Sequence, residues 1–131
     1  MKQFLTILAA LAFMLTLTAT ALAYDKGDRI IGQREDGFWY PGTVIEVKDN
    51  VLTIEFDAGE KKAIDAEHIA PIDWASGVKL ECKWPYDEKN YPGTLVERNG
   101  EKVRIVFDDG DKANLTVGKC RQSKASRSGT K

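Results

Sequence analysis

Between Val51 and Asp57 apolar and polar residues alternate without a break: Leu52, Ile54 and Phe56 against Thr53, Glu55 and Asp57. A period of two turns one apolar face inward and predicts a half-buried β-strand. Lys48-Asp49-Asn50 and Ala58-Gly59 bound it as turns, the glycine because it tolerates positive φ. On the N-terminal side, residues 27–34 read as a strand, 35–37 as a turn and 38–47 as a second strand. On the C-terminal side come a short strand over 61–64, a single helical turn over 65–68 and a brief closing strand over 69–72.

The same pattern returns fifty-one positions later. Tyr40-Pro41-Gly42-Thr43 becomes Tyr91-Pro92-Gly93-Thr94, and Phe56-Asp57-Ala58-Gly59-Glu60 becomes Phe107-Asp108-Asp109-Gly110-Asp111. Between these anchors Val44 matches Leu95, Leu52 matches Val103 and Ile54 matches Ile105. Two anchors at one offset, with equivalent apolar residues between them, mark a duplicated unit of roughly fifty residues. The second copy predicts strands over 78–84, 91–98, 101–108, 111–115 and 119–122, with Asn99-Gly100 as a strong hairpin signal. No long amphipathic helix interrupts either copy. Many short strands separated by turns predict an all-β chain of two tandem, small five-stranded barrels, over 26–73 and 77–122. Trp74, in the short connection 73–76, is expected to pack at their junction, with an exposed linker tryptophan as the alternative. Glycines at 42 and 93, each after a proline within a strand, are expected where the backbone bends or a neighbour comes close.

The ends differ from this core. Lys2, an apolar run over 4–17 and small residues at Ala21 and Ala23 describe a cleavable export signal over 1–23; an uncleaved anchor or a buried helix is the alternative. With the signal removed, no membrane span is expected, and the protein is read as periplasmic or secreted. No cysteine at the cleavage site suggests a lipid-modified start. Residues 123–131 are small, polar and basic, and are expected to be a disordered tail.

The chain carries 19 basic and 20 acidic residues, a balance that supplies no global field for nucleic acid. Only the basic tail offers a nucleic-acid reading, the lesser one. Cys82 and Cys120 both fall in the second copy, on its first and last strands, which are neighbours in a five-stranded barrel. In an exported protein of this size a disulfide between them is expected, with two buried free thiols as the alternative. Two cysteines without nearby histidines do not make a zinc site, so no metal or cofactor is expected.

With strand order and repeated tetrapeptide in place, the copies resemble Tudor domains and the wider Tudor, Agenet and chromo-like group of SH3-type barrels. The resemblance rests on 35–43 with 54–60, and on 84–94 with 106–111. Tudor domains that bind methylated lysine or arginine use an aromatic cage at the barrel mouth, where ring faces attract a weakly hydrated cation. In the methyl-arginine pattern an aromatic stands seven residues before the Tyr of Tyr-Pro. The resemblance therefore implies a partial cage of Trp84, Tyr91 and Phe107, with a carboxylate from Asp109 or Asp111. In the first copy Tyr40 and Phe56 match, and Gln33 stands seven before Tyr40. Weighed against a cage, Tyr91 and Phe107 also serve as large core residues. Trp39, beside Tyr40 on its strand, faces the other way and is either exposed for a partner or covered by the other copy.

Catalysis finds little support. His68, the single histidine, is expected on a surface turn, and the serines beyond the signal, Ser76, Ser123, Ser126 and Ser128, lie in the connection and the tail. A nucleophile needs a positioned base. Asp108, Asp109 and Asp111 miss the calcium-loop spacing, and no glycine-rich phosphate loop precedes a helix. The leading expectation is an exported, non-catalytic module that binds a protein or peptide partner carrying a cationic or methylated segment. An envelope protein with SH3-like units attached to cell wall is the alternative.

Overall fold

The structure is a computed structural model that describes residues 23–128, so the predicted export signal, apart from Ala23, lies outside it. The chain folds as two five-stranded antiparallel sheets in tandem. In the first, β1 (Arg29–Gln33), β2 (Trp39–Lys48), β3 (Val51–Phe56), β4 (Lys61–Asp65) and β5 (Ile69–Pro71) are ordered β4-β3-β2-β1-β5. In the second, β6 (Lys79–Lys83), β7 (Asn90–Asn99), β8 (Lys102–Phe107), β9 (Lys112–Thr116) and β10 (Cys120–Arg121) are ordered β10-β6-β7-β8-β9. A 3-10 turn precedes the last strand of each, over Ala66–His68 and Val117–Lys119. Register breaks at one place in both, between Val44 and Glu46 and between Leu95 and Glu97. An extra residue there, Ile45 or Val96, forms a bulge that strengthens the local twist.

The alternating residues do what their period requires. Ile30, Val44, Leu52, Ile54, Phe56 and Ile69 form the first core. Leu80, Leu95, Val103, Ile105, Phe107 and the two cysteines belong to the second. Gly42 and Gly93 are the points where the second and third strands of each unit come closest. A Cβ at Gly42 would lie 2.7 Å from Ile54 Cγ2 and 2.9 Å from the Glu55 carbonyl oxygen. At Gly93 the same atoms of Ile105 and Val106 lie at 2.8 and 3.0 Å. Backbone cannot yield as a side-chain tip can, so Gly42→Val or Gly93→Val should cost about 3 kcal/mol or more, at the upper end of overpacking penalties. Residue-resolved amide exchange on each variant should show protection lost first in the unit that carries it; equal protection in both units would refute the close-approach argument.

The junction explains the residues that the two internal cores leave over. Ile31 and Ile30 are adjacent on β1 and both are almost completely buried. Ile30 faces its own core, and Ile31 faces the second unit's, which buries β1 on both sides. Full burial of such a side chain contributes about 1.5–3 kcal/mol. Trp74 is 2% exposed in that second core, as expected of it, and its Nε1 donates to Gln122 Oε1 at 3.0 Å. Trp39 is covered by the second unit, exchanging backbone bonds with Gln122 at 2.8 and 3.0 Å while the Arg127 guanidinium lies 5.0 Å over its ring. At the rim Arg29 bridges Asp57 of the first unit and Glu101 of the second, both at 2.7 Å. Its guanidinium is raised above the ordinary arginine value, chiefly by the Asp57 hydrogen bond.

The expectation of a disordered tail over 123–131 is corrected for its first part. Lys124–Ser128 forms a short helix, α1. Ser123 Oγ accepts the Ser126 N–H at 2.9 Å, Ser126 Oγ donates to the Lys79 carbonyl, and Arg127 pairs with Asp73 at 3.0 Å. Local polar bonds and one ion pair order a segment whose composition offers no core. Residues 129–131 lie outside the described part.

Candidate functional site

The site lies at one end of the second unit, where the β6–β7 loop meets the β8–β9 turn. Trp84 follows β6, Tyr91 opens β7 and Phe107 closes β8. The loop is held by Trp84 N–H to the Lys89 carbonyl at 2.9 Å and Glu88 N–H to the Trp84 carbonyl at 2.8 Å. Asp87 sits between them and uses both oxygens, accepting the Lys89 N–H at 2.9 Å and the Tyr91 hydroxyl at 2.6 Å. That hydroxyl is the main reason the Asp87 carboxyl lies below its ordinary value and, in turn, the Tyr91 phenol above its own. Opposite, Phe107 N–H donates to the Asp111 carbonyl at 2.7 Å, and Asp109 Oδ1 accepts the Asp111 N–H at 2.9 Å. Both loops are thus built around a carboxylate that fixes its own backbone.

These elements form a cavity of about 340 Å³, lined by Trp84, Tyr91, Pro92 and Phe107 and by the carboxylates of Asp87, Asp108, Asp109 and Asp111. Phe107 is 4% exposed and forms the floor; Trp84 stands edge-on to it at 5.5 Å and 86°. Tyr91 forms the opposite wall, 39% exposed. The residues expected as a cage therefore do converge on one concavity, and Phe107 serves the core and the site at once. Among the described residues, Asp87, Asp108, Asp109 and Asp111 make no ion pair. Four carboxylates without an ion pair, beside three aromatic rings, favour a cation.

The first unit is arranged differently, and Gln33 is not the counterpart of Trp84. β1 pairs with β2 from Arg29↔Thr43 to Gln33↔Trp39, and β6 with β7 from Lys79↔Thr94 to Lys83↔Asn90. Lys83 thus matches Gln33, and Arg34 matches Trp84. The equivalent loop bond confirms it: Arg34 N–H reaches the Phe38 carbonyl at 3.0 Å. The second loop holds one extra residue, Pro85-Tyr86 against Glu35, which makes a count of seven back from the tyrosine run one residue too far in the first copy, to Gln33 instead of Arg34. Arg34 Cζ lies 5.2 Å from the Tyr40 ring centroid and 5.0 Å from that of Phe56, and the guanidinium pairs with Glu60. From the second unit Arg121 lies 4.0 Å over Phe38 and 5.9 Å over Tyr40, and donates to the Tyr40 hydroxyl at 2.9 Å. Tyr40 and Phe56 are therefore brought together as the repeat implies, but beneath the chain's own arginines.

Sequence reasoning missed Arg34, Arg121 and Tyr86. Tyr86 is 86% exposed, with its ring 5.4 Å from Trp84 at the cavity's outer edge. An inserted loop residue has no periodic partner to reveal it. The available signal was Gly27 with Gly77, an offset of fifty rather than fifty-one, which places the insertion between strand one and the Tyr-Pro motif. Away from the site, Asp65, Glu67 and His68 bring ligand atoms within 4.8 Å of one another, all on exposed side chains of the kind common without a metal. No helix among the described residues is long and apolar enough to cross a membrane. No protein-family model matches the chain, and no curated protein is significantly similar to it.

Proposed function

We propose that this chain is an exported, non-catalytic binding module of two Tudor-like units, and that the second unit recognises a cationic or methylated segment of a protein partner. The observation that carries the reading is the cavity between Trp84, Tyr91 and Phe107 with its unpaired carboxylates. Rings alone would serve a core, and acids alone a solvated turn; together on one concave surface they match the chemistry that holds a soft cation. Export is supported by the N-terminal residue pattern and by the Cys82–Cys120 disulfide, a bond kept in oxidising surroundings.

The test is a chemical-shift titration of the full chain with a peptide panel carrying lysine, arginine and their methylated forms. Shifts should concentrate at Trp84, Tyr91 and Asp109, and Trp84→Ala should weaken binding by about tenfold or more, the loss of one strong cation-π wall. Trp84 also packs against the rim of the second core, so amide exchange of β7 and β8 in the variant is the control that separates lost binding from lost fold. Shifts spread equally over both units, none at millimolar peptide, or retention of a native partner by Trp84→Ala would sink the reading and leave wall attachment or scaffolding in its place.

A further inference from the structure

The two units carry the same site in two states of completion, and the completed one shows what the other lacks. In the first unit the turn carboxylates are neutralised within the chain, Asp57 by Arg29 and Glu60 by Arg34. The second unit keeps both acids, as Asp108 and Asp111, but neither makes an ion pair among the described residues. Lys79 stands in place of Arg29 and donates to Thr94 Oγ1 at 3.0 Å instead, and Trp84 stands in place of Arg34. The tyrosine and phenylalanine are retained, and the tyrosine hydroxyl is held by the same carboxylate in both, Asp36 at 2.5 Å and Asp87 at 2.6 Å. What differs is the cation.

Both groups that cover the first unit's rings are guanidinium groups. Arg34 lies on Tyr40 and Phe56 with Glu60 as its acceptor; Arg121 lies on Phe38 and Tyr40 with Glu81 as its acceptor at 2.9 Å. Arg121 reaches Tyr40 from a different folding unit, although its nearer ring, Phe38, has Lys89 as its counterpart in the second unit, so Arg34 is the closer guide to the second cavity. Each guanidinium donates N–H groups to an oxygen while its Cζ lies within 4.0 to 5.9 Å of two ring centroids, a combination suited to a planar fork. From this geometry we infer that the second unit's cavity takes an unmethylated arginine side chain of a partner protein, its guanidinium in the space between Trp84, Tyr91 and Phe107 and its N–H groups on Asp111, Trp84 supplying a wall from the chain position that Arg34 holds in the first unit. The inference rests on the cation-binding reading above and narrows it to one chemical class. Methylation would weaken this contact, because dimethylation removes two of the five guanidinium N–H groups and with them the two-pronged bonding to Asp111.

Four peptides identical except at one central position, carrying arginine, lysine, trimethyl-lysine or symmetric dimethyl-arginine, separate the inference from the reading beneath it. Titrated into the full chain and followed at the Trp84 indole N–H, the arginine peptide should bind about fivefold or more tighter than the lysine peptide, and no weaker than the dimethylated one. Asp111→Asn, an exposed turn substitution, should reduce that preference to about twofold or less. Trimethyl-lysine or dimethyl-arginine binding at Trp84 with arginine clearly weaker would overturn the inference and leave the cation site standing. Arginine preferred equally by the parent and Asp111→Asn would also overturn it, since the guanidinium would then not sit on that carboxylate. Silence of the indole toward all four peptides would remove both.

Discussion

Trp74→Ala should cost about 3–5 kcal/mol and loosen both units at once, although the residue lies in neither set of repeated anchors. Its indole is fully packed in the second core beside Ile31, which belongs to the first unit's β1. Removing it opens a cavity between the units and takes the indole donor from Gln122 Oε1, a buried side chain 2% exposed. Arg98 should be affected next, because its Nη1 donates to the backbone carbonyls of Ile72 and Trp74 at 2.7 and 3.2 Å and so holds the connection in place. A urea titration followed by far-ultraviolet circular dichroism should show a lower midpoint, and amide exchange should show faster opening of β1 as well as β6. Loss confined to the second unit would mean that Ile31 does not couple the units. An unchanged midpoint would mean that the indole is not buried.

The period-two pattern was enough to read the number and order of strands, because each strand buries one face and the residues on it say which. It failed where burial came from the other unit. Ile31 sits at a position that alternation assigns to solvent, and its burial becomes intelligible only once a second core lies against it. Trp39 was readable as facing away from Tyr40, but not as covered by Gln122 and Arg127. The rings Trp84, Tyr91 and Phe107 were legible only through the family resemblance of the repeated motifs, which counts back from the Tyr of Tyr-Pro. The site's electrostatics were not, because whether a carboxylate is paired depends on where long side chains reach. Arg34 and Trp84 occupy one place in the fold, and a single inserted residue hid that equivalence.

Loss of the Cys82–Cys120 bond should destabilise the second unit by about 3 to 4 kcal/mol and leave the first nearly untouched. The two cysteines face each other directly across β6 and β10, 38 residues apart in sequence, and both are buried. The last strand of the second unit is only Cys120–Arg121, whereas the first unit's β5 pairs three residues with β1. In the first unit Gly32 stands where Cys82 stands, and the Ile64 and Phe56 side chains lie 3.3 and 3.4 Å from the space its Cβ would take. One unit closes its first and last strands by packing, the other by a covalent bond on a shorter ladder, so their dependence on redox state should differ. The paired variant Cys82→Ala with Cys120→Ala avoids burying new hydroxyl groups and tests this without reductant. Its second unit should lose exchange protection at lower urea than the parent's, with the first unit's protection retained. The unreduced parent should resist alkylation and weigh two hydrogens less than its reduced form. Full alkylation without reductant would disprove the bond, and equal loss in both units would disprove the division of labour between packing and covalent closure.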